Sequence, residues 1–334
     1  MICAVPLLRA LRRRFPDASL ALMTSRVNHD VMKGNEYLDD VILFDKASLL
    51  RGGILRVGAI VKFLRSVRKR GFDLCIVPAT VSLSLTSDFL AFVTGARTRI
   101  GPASLAGASN PSSFFYTMPV HLGSTQESHR HQTLRTLDVV QPVGVTTDDL
   151  TSTITLTKDE IVAANRFVNN ELRGHHCLIF YHPGAGKIPN QWPASHFALV
   201  ANILSKEFDT AVAVTCGPMD HDPVRAMTSK IAVEYTLVQG RSIRDVAAIV
   251  KTGDLLITND TGIMHVGGAV GTPVLSLFGP TDPHQWAPKN RGSRYILSST
   301  GRIEDISVDT VLVTAREMLR SIVNDKYSRQ RLSE

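Results

Sequence analysis

The chain has 334 residues with a formal net charge of +7 at pH 7, and its residues are 44% hydrophobic and 20% charged. A length and composition of this kind fit a globular protein of two domains or one large α/β domain. The sequence lacks the apolar run of about 20 residues that a transmembrane helix needs. Its positive charge favours an anionic partner: nucleic acid, a phosphorylated substrate or an acidic membrane surface.

The four cysteines stand singly in apolar segments, at positions Cys3, Cys75, Cys177 and Cys216. Their spacing matches neither a zinc site nor a disulfide framework, so we expect reduced thiols in a cytoplasmic protein. At the N-terminus, MICAVPLLRALRRR places a basic cluster after a short apolar stretch, which reverses the order found in a signal peptide. The spacing there predicts an amphipathic helix instead.

The first half predicts alternating helices and strands. In chain order we expect a helix over residues 6–14, strands in SLALMTS and VILF, a basic helix over 55–69, a buried strand in FDLCIVPA, a helix over 83–94, a short strand in RTRIG, a loop over 101–128 and a helix over 129–140. Residues 141–153 are polar and contain Pro, Gly and an Asp-Asp pair, which is typical of a linker. We therefore place one domain at residues 1–150 and a second at 151–334.

In the second half the alternation is more regular. Strands are predicted in CLIFY, TAVAVTCG, YTLVQG, GDLLITND and TPVLSLFG, separated by helices over residues 193–208, 223–231, 243–251 and 261–270, with a last helix over 308–323. Repeated strand–helix units indicate two doubly wound α/β domains with parallel sheets. In such folds ligands bind beyond the carboxyl ends of the strands.

The segment NDTGIMHVGGAVGTPVLSLFGPTDPH concentrates polar groups at one such strand end. Asp260 ends the strand in LLITND, and Thr261 and Gly262 then occupy the first turn of a helix, where backbone N–H groups have no partner inside the helix. A helix start of this kind attracts phosphate, and His265 follows one turn later. A simple helix cap by Asp260 is an equally good interpretation of that residue alone.

A second loop, HPGAGKIPNQWP, follows the first strand of the same domain. Gly184 and Gly186 open a turn, and Lys187 supplies a cation that would form a charge-assisted bond with a phosphate. Taken alone, the loop is better interpreted as a glycine turn with a solvated lysine, and it lacks the spacing of a Walker loop. Two such loops at strand ends of one domain, however, together indicate a cradle for a diphosphate.

These two segments, together with QGRSIRDVAAIVKTGDLLITN, resemble glycosyltransferase family 9, which includes the heptosyltransferases of lipopolysaccharide core assembly. The resemblance covers most of the chain and is most specific over residues 177–290. It implies a GT-B fold of two Rossmann-like domains, the N-terminal one binding the acceptor and the C-terminal one the donor. The implied reaction moves a heptose-like sugar from an ADP-sugar to a lipopolysaccharide-core acceptor with inversion, and needs neither a metal nor another cofactor.

The same resemblance implies roles for individual residues. Asp260, Thr261, Gly262 and His265 would hold the diphosphate and the donor sugar, and the loop from Gly184 through Gly186 to Lys187 would lie over the phosphates. Asp220 or Asp222 would meet the ribose, and Gln239 and Gly240 would lie near the adenine. Many members have Lys or Arg two residues before the Trp, where this chain has Asn190, so we expect Lys187 to supply that charge.

The acceptor side is marked mainly by charge. His129, Arg130 and His131 follow a long polar loop and are candidates to meet an anionic acceptor, although a solvated helix start would look the same. The Arg9, Arg12, Arg13 and Arg14 cluster and the basic helix near Arg65 suit an acidic membrane, although an ordinary exposed charged face would look the same in the sequence. We therefore expect a cytoplasmic protein that can contact the inner membrane peripherally.

The catalytic residue stays unassigned. Members of the resembled family carry a Gly-Asp loop, after a first strand, whose Asp serves as the general base; here that residue would precede Met1. A nucleotide-sugar-binding homologue without transfer activity is therefore an alternative function. A nucleotide-sugar 2-epimerase is a weaker one, and a nucleic-acid binder is disfavoured because aromatic residues are only 6% and no recognised module occurs.

Overall fold

The computed structural model describes residues 1–46, 57–78, 81–123, 129–172 and 175–333. The chain divides into two compact units, Cys3–Leu150 and Thr151–Glu334. Both contain parallel strands joined through helices. Within the described ranges, the structure contains no helix with the length and apolar character that a membrane span requires.

The N-terminal unit contains six short strands and five helices within the described residues. The strands are β1 (Ala21–Thr24), β2 (Asp40–Leu43), β3 (Leu74–Ile76), β4 (Thr98–Leu105), β5 (Ala108–Ser109) and β6 (Met118–Leu122). The helices are α1 (Val5–Arg14), α2 (Arg26–Met32), α3 (Val57–Arg68), α4 (Leu85–Thr94) and α5 (Gln132–Asp138). β1 and β2 form one parallel pair; β3, β4 and β6 form a separate parallel sheet, to which β5 adds an antiparallel strand.

The prediction of a continuous loop over residues 101–128 is wrong in its first part. β4 runs on through Gly101 and Pro102, and β6 pairs with it in parallel. Gly101 is needed there because a Cβ atom would collide with the ring of Tyr116. Pro102 is tolerated because the register with β6 shifts directly after it, and a bulge accommodates a residue without an N–H donor. Residues 124–128 of this prediction lie outside the described residues.

Helix α1 does not present its arginines as one free basic surface. Arg9 is buried; its guanidinium pairs with the carboxylate of Asp149, and its Nε donates to the Tyr37 hydroxyl at 3.1 Å. Arg12 pairs with Asp39 at 2.6 Å. The prediction that the cluster from Arg9 to Arg14 suits a membrane surface is therefore wrong for Arg9 and Arg12, because both guanidinium groups bind within their own unit.

The C-terminal unit contains one six-stranded parallel sheet. Its strands are β7 (Cys177–His182), β8 (Thr210–Cys216), β9 (Tyr235–Gln239), β10 (Leu255–Asn259), β11 (Val274–Phe278) and β12 (Arg294–Leu297). Its helices are α6 (Lys158–Glu171), α7 (Ala194–Phe208), α8 (His221–Thr228), α9 (Ile243–Val250), α10 (Gly262–Val270), α11 (Pro283–Trp286) and α12 (Val308–Ser333). The strand order β12-β11-β10-β7-β8-β9 is that of a doubly wound sheet.

The central strands are buried along their whole length because both faces of the sheet are covered. All residues of β7, β8, β10 and β11 are buried, as expected for a parallel sheet with helices on both sides. The first strand of this unit, β7, pairs with β8 on one edge and β10 on the other. In the N-terminal unit, within the described residues, β1 pairs only with β2 along the sheet and β3 only with β4.

Candidate donor-binding site

The order of strands in the C-terminal unit reverses between β7 and β10. These two strands are paired in parallel, with His182 opposite Thr258. The chain leaves β7 and β10 toward helices on opposite sides, and this divergence opens a crevice at the carboxyl ends of adjacent strands. The loop after β7 carries Gly184 to Lys187 and the turn after β10 carries Asp260 and Thr261, so the two segments singled out in the sequence meet at this switch point.

Asn259, the last residue of β10, fixes the loop that follows β7. Its side chain is fully buried, and Nδ2 donates to the carbonyl oxygens of Pro183 at 2.9 Å and Gly184 at 3.2 Å. Its Oδ1 accepts from the backbone N–H of Trp192 at 3.0 Å. One amide therefore joins both ends of the loop to the switch point, and the buried backbone groups that it binds have no access to water as an alternative partner.

Asp260 is held by neutral donors from the two neighbouring loops. Its Oδ2 accepts from Thr281 Oγ1 at 2.7 Å and from Asn190 Nδ2 at 3.2 Å. Burial raises the pKa of Asp260, while the Thr281 hydrogen bond and the charge of Lys187 act in the opposite direction. The carboxylate is therefore fixed in orientation but incompletely neutralised, which leaves it able to accept further hydrogen bonds from a ligand.

Helix α10 begins at Gly262 with its N-terminus open. The N-cap is Thr261 rather than Asp260, and the Thr261 side chain makes no capping hydrogen bond. A Cβ atom at Gly262 would have no atom within 4 Å, so the space beside the first turn is open. His265 lies one turn later, its ring 6.2 Å from that of Trp286. First-turn N–H groups that face open space carry the positive end of the helix dipole and suit an anion.

The two glycines of the β7 loop have different roles. A Cβ atom at Gly184 would overlap the carboxylate of Asp220, whereas one at Gly186 would meet nothing within 4 Å. Neither residue has a positive φ, so the glycine turn predicted from the sequence does not need the left-handed backbone that only glycine adopts readily. Gly184 is needed for close approach to Asp220, and the exposed Gly186 and Lys187 form the outer part of the loop.

Asp220 is directed toward the buried end of β7. Its Oδ2 lies 3.6 Å from His182 Nε2 and accepts from the Gly217 N–H at 3.0 Å. On the other side of the ring, His182 Nδ1 lies 2.9 Å from Thr215 Oγ1. The candidate ribose ligand Asp220 is thus already engaged beneath the β7 loop, while the alternative, Asp222, is exposed in the first turn of α8.

The candidate adenine neighbours lie two strands from the switch point. Gln239 ends β9 and is exposed, and Gly240 follows it with a φ of +66°. Both residues sit at the same carboxyl edge of the sheet as the β7 and β10 loops, because β7, β8 and β9 are consecutive parallel neighbours.

The buried histidine makes the unit sensitive to acid. Burial lowers the pKa of His182, although the Asp220 carboxylate acts in the opposite direction. The unfolded chain would protonate this residue near its ordinary pKa of about 6.5, so its contribution to stability is complete above that pH and is lost as the pH falls below it. We expect the melting temperature to fall less between pH 7.5 and pH 5.0 for His182→Gln than for the wild type. An equal fall in the two proteins would contradict this role of His182.

The candidate acceptor residues lie in the N-terminal unit and are engaged in local contacts. Arg130 forms a bidentate pair with Asp138 at 2.6 Å for both bonds. His131 is buried and caps α5, its Nδ1 accepting from the Thr133 N–H at 3.2 Å, and His129 is exposed. A pocket lined by Arg130, Arg135 and Asp138 holds only about 10 Å³, room for about one water molecule. These contacts give Arg130 and His131 structural roles, and contact of any of the three residues with an acceptor stays a prediction.

Two residues of the site were not singled out in the sequence. Thr281 follows β11, the neighbour of β10, and Asn259 ends a fully buried strand. A buried amide must find hydrogen-bond partners, so an Asn at the end of a buried strand was a usable sequence signal for Asn259. The contact of Thr281 with Asp260 could not be predicted in this way, because it depends on the order of the strands. Among the described residues no group of three or more His, Cys, Asp or Glu side chains is arranged to hold a metal ion.

Comparison with known proteins extends the likeness over both units. The family model of glycosyltransferase family 9 (heptosyltransferase) matches residues 60–311. Lipopolysaccharide heptosyltransferase 3 of Escherichia coli K12 is 24% identical over 301 residues, which span 86% of this chain and 81% of that protein.

Two solved structures share the fold. A glycosyl transferase family 9 protein from Veillonella parvula superposes with a TM-score of 0.82 at 22% identity, covering 96% of this chain and 93% of its own. The E. coli heptosyltransferase WaaC with ADP has a TM-score of 0.75 at 14% identity and 95% coverage of both chains. The α/β fold of the GT-B class is thereby confirmed. With the family model matching most of its length, this chain belongs to glycosyltransferase family 9, the heptosyltransferase family.

Proposed function

We propose that the switch point of the C-terminal unit binds the diphosphate of an ADP-sugar, and that the chain transfers a heptose-like sugar from it to a lipopolysaccharide-core acceptor. The observation that carries this proposal is the meeting of an open helix N-terminus at Gly262 with the Lys187 loop at the carboxyl ends of β7 and β10. The solved structure of E. coli heptosyltransferase WaaC contains ADP, and the E. coli relative is a lipopolysaccharide heptosyltransferase, which supports the same donor and acceptor classes.

The charges of the site residues suit them to different parts of the donor. The N–H groups at the start of α10 and the ammonium of Lys187 suit the diphosphate, because both are positive. Asp260 is negative and would repel phosphate, so its carboxylate suits the hydroxyl groups of the donor sugar, with His265 beside it. Asp222, and Asp220 after rearrangement, suit the ribose hydroxyls, and Gln239 and Gly240 suit the adenine.

The proposed step is an inverting displacement without a metal. The acceptor hydroxyl oxygen forms a bond to the anomeric carbon as the bond from that carbon to the diphosphate oxygen breaks, and ADP leaves. The negative charge that develops on the leaving diphosphate is stabilised by Lys187 and the α10 N-terminus. The acceptor proton passes to a general base, which we do not assign among the described residues.

Substitutions at the switch point test whether its residues bind the donor or only support the fold. Loss of a charge-assisted bond costs about 1.5–3 kcal/mol, so Lys187→Ala should weaken ADP binding about tenfold to hundredfold. Asp260→Ala and His265→Ala should weaken binding of the ADP-sugar at least severalfold. Lys206→Ala and Asp159→Ala, at exposed positions in α7 and α6, are the matched controls and should leave both affinities unchanged.

Calorimetry measures the affinities, and product analysis with ADP-heptose and a core acceptor measures transfer. Unchanged affinity in the folded Lys187 and Asp260 variants would overturn the site. Donor binding without transfer to any acceptor would identify the chain as a nucleotide-sugar-binding homologue instead. Release of a new sugar from the donor without an acceptor would point to the epimerase alternative.

A further inference from the structure

The N-terminal unit exposes large apolar side chains along α4 and the turn after β5. Leu85, Phe89 and Phe92 are 67%, 41% and 49% exposed, and their i, i+4, i+7 spacing places them on one face of the helix. Phe114 is 74% exposed. The ring of Phe115 lies 5.3 Å from that of Phe92 and 4.4 Å from that of Phe114, which joins the helix to the turn. We call these five side chains the aromatic face.

Cationic side chains border the aromatic face. Helix α3 packs beside α4, and the guanidinium of Arg68 lies against Gly95, where α4 ends. The Cζ of Arg99 lies 5.8 Å from the ring centroid of Phe92. On α3, the exposed Val61 is followed one turn later by the exposed Arg65, so apolar and basic side chains alternate along that helix as well.

The three chain segments that form this region contain no exposed carboxylate. The segments 57–70, 81–99 and 113–118 contain one carboxylate, Asp88, which is fully buried and accepts hydrogen bonds from Asn110 at 2.9 Å and Ser112 at 2.5 Å. One of the cations, Arg70, pairs with Asp40. The same segments contain the cations Lys62, Arg65, Arg68, Lys69, Arg70, Arg97 and Arg99.

We propose that the aromatic face docks on an anionic lipid bilayer. Exposed aromatic rings at the level of the headgroups, bordered by Arg and Lys and, within these three segments, by no exposed carboxylate, match the chemistry of such a surface on both counts. The ten residues of α4 are too few to span a bilayer, so the helix lies on the surface with its rings inserted. The α1 arginines do not contribute through Arg9 or Arg12, which bind within the unit. This inference is independent of the donor site.

Vesicle flotation of the full-length chain tests the apolar half of the proposal. At low ionic strength we expect binding to vesicles of phosphatidylcholine and phosphatidylglycerol in equal parts, and at least tenfold weaker binding to phosphatidylcholine alone. The double substitution Phe92→Ser/Phe114→Ser should reduce binding to the anionic vesicles at least tenfold. The matched control Val162→Ser/Leu199→Ser removes two exposed apolar side chains from α6 and α7, and it should leave binding to the anionic vesicles unchanged. If the double variant does not fold, Phe114→Ser alone, at the most exposed of these positions, replaces it.

Separate variants test the contribution of the basic side chains to vesicle binding. Arg65→Gln/Lys69→Gln should reduce binding to the anionic vesicles severalfold and weaken its dependence on salt, whereas Lys158→Gln/Lys206→Gln in the C-terminal unit should do neither. Failure of the wild type to bind anionic vesicles overturns the proposal. So does equal binding by the folded aromatic variant and its matched control, because the aromatic face would then contribute nothing to lipid binding.

Discussion

Replacing Asn259 with leucine is expected to have the largest effect of any single substitution in the candidate donor site. The carbonyl oxygens of Pro183 and Gly184 and the N–H of Trp192 would lose their partner while staying buried. Each unpaired buried group costs about 1–3 kcal/mol, so the loss of all three partners should lower the free energy of unfolding by at least about 3 kcal/mol. With both ends of its loop released, Lys187 would no longer be positioned, and ADP binding should fall at least about a hundredfold.

Asn202 offers a matched control for that experiment. Its amide also joins two backbone groups, donating to the Lys230 carbonyl at 3.1 Å and accepting from the Ala232 N–H at 2.8 Å, but it is partly exposed and away from the switch point. Asn202→Leu should cost only about 1 kcal/mol, because water can replace the lost bonds, and should leave ADP affinity unchanged. Chemical denaturation and calorimetry measure both quantities. Similar losses of ADP affinity in the two variants would show that Asn259 has no special role.

Gly184→Ala is expected to produce the second largest effect. The added methyl group would overlap the Asp220 carboxylate, which is held by the Gly217 N–H and lies beside His182. Either the loop or the carboxylate must move, and a displacement of about 1 Å in a positioning loop commonly costs about a hundredfold in function. We expect ADP affinity to fall at least about thirtyfold.

Gly186→Ala makes the same chemical change two residues later, where the methyl group meets nothing within 4 Å. Neither position needs a positive φ, so backbone strain does not distinguish the two variants. Gly186→Ala should therefore leave both stability and ADP affinity nearly unchanged. Adding Asp220→Gly to Gly184→Ala removes the obstructing side chain and should restore affinity to that of Asp220→Gly alone. No restoration, or equal effects at Gly184 and Gly186, would contradict the proposed packing.

The hydrogen bond from Asn190 to Asp260 gives a physical reason for a neutral residue at position 190. The resembled family often has Lys or Arg two residues before the Trp, and this chain instead uses the Asn190 amide to donate to Asp260. A cation at that position would pair directly with the carboxylate. With an amide there, Lys187 is the loop's source of positive charge near Asp260, and its charge acts on the pKa of that group. This arrangement supports Lys187 as the phosphate ligand.

The sequence was most informative where one physical pattern dominated. β7, β8, β10 and β11 are continuous apolar runs that end in Gly, Pro or Asx residues, and each predicted strand overlaps its observed range. The same regularity located the two loops of the site, because a glycine-rich segment directly after a buried strand lies at its carboxyl end. Strand order was required to show that those loops are adjacent.

What the sequence did not reveal depends on contacts between distant residues. Pairing with β4 creates β6 from MPVHL, where a proline weakens the strand pattern. Helix α6 was not predicted, yet its capping box at Thr157 and Glu160 is a local signal, reinforced in the fold by Arg244, which holds the pKa of Glu160 down to about 2. The burial of Arg9 against Asp149 spans 140 residues, and no local pattern encodes it.

One measurement tests the diphosphate site most directly: calorimetric titration of ADP into the wild type and Gly262→Asp. An acidic residue in the first turn of α10 favours the helix by about 0.3–1 kcal/mol, and the open space beside Gly262 accommodates it. The same charge would repel a bound diphosphate. We expect saturable ADP binding by the wild type and at least about tenfold weaker binding by Gly262→Asp, at an equal or higher melting temperature. Equal affinity in the two proteins, or no binding by the wild type, would contradict a diphosphate site at this switch point.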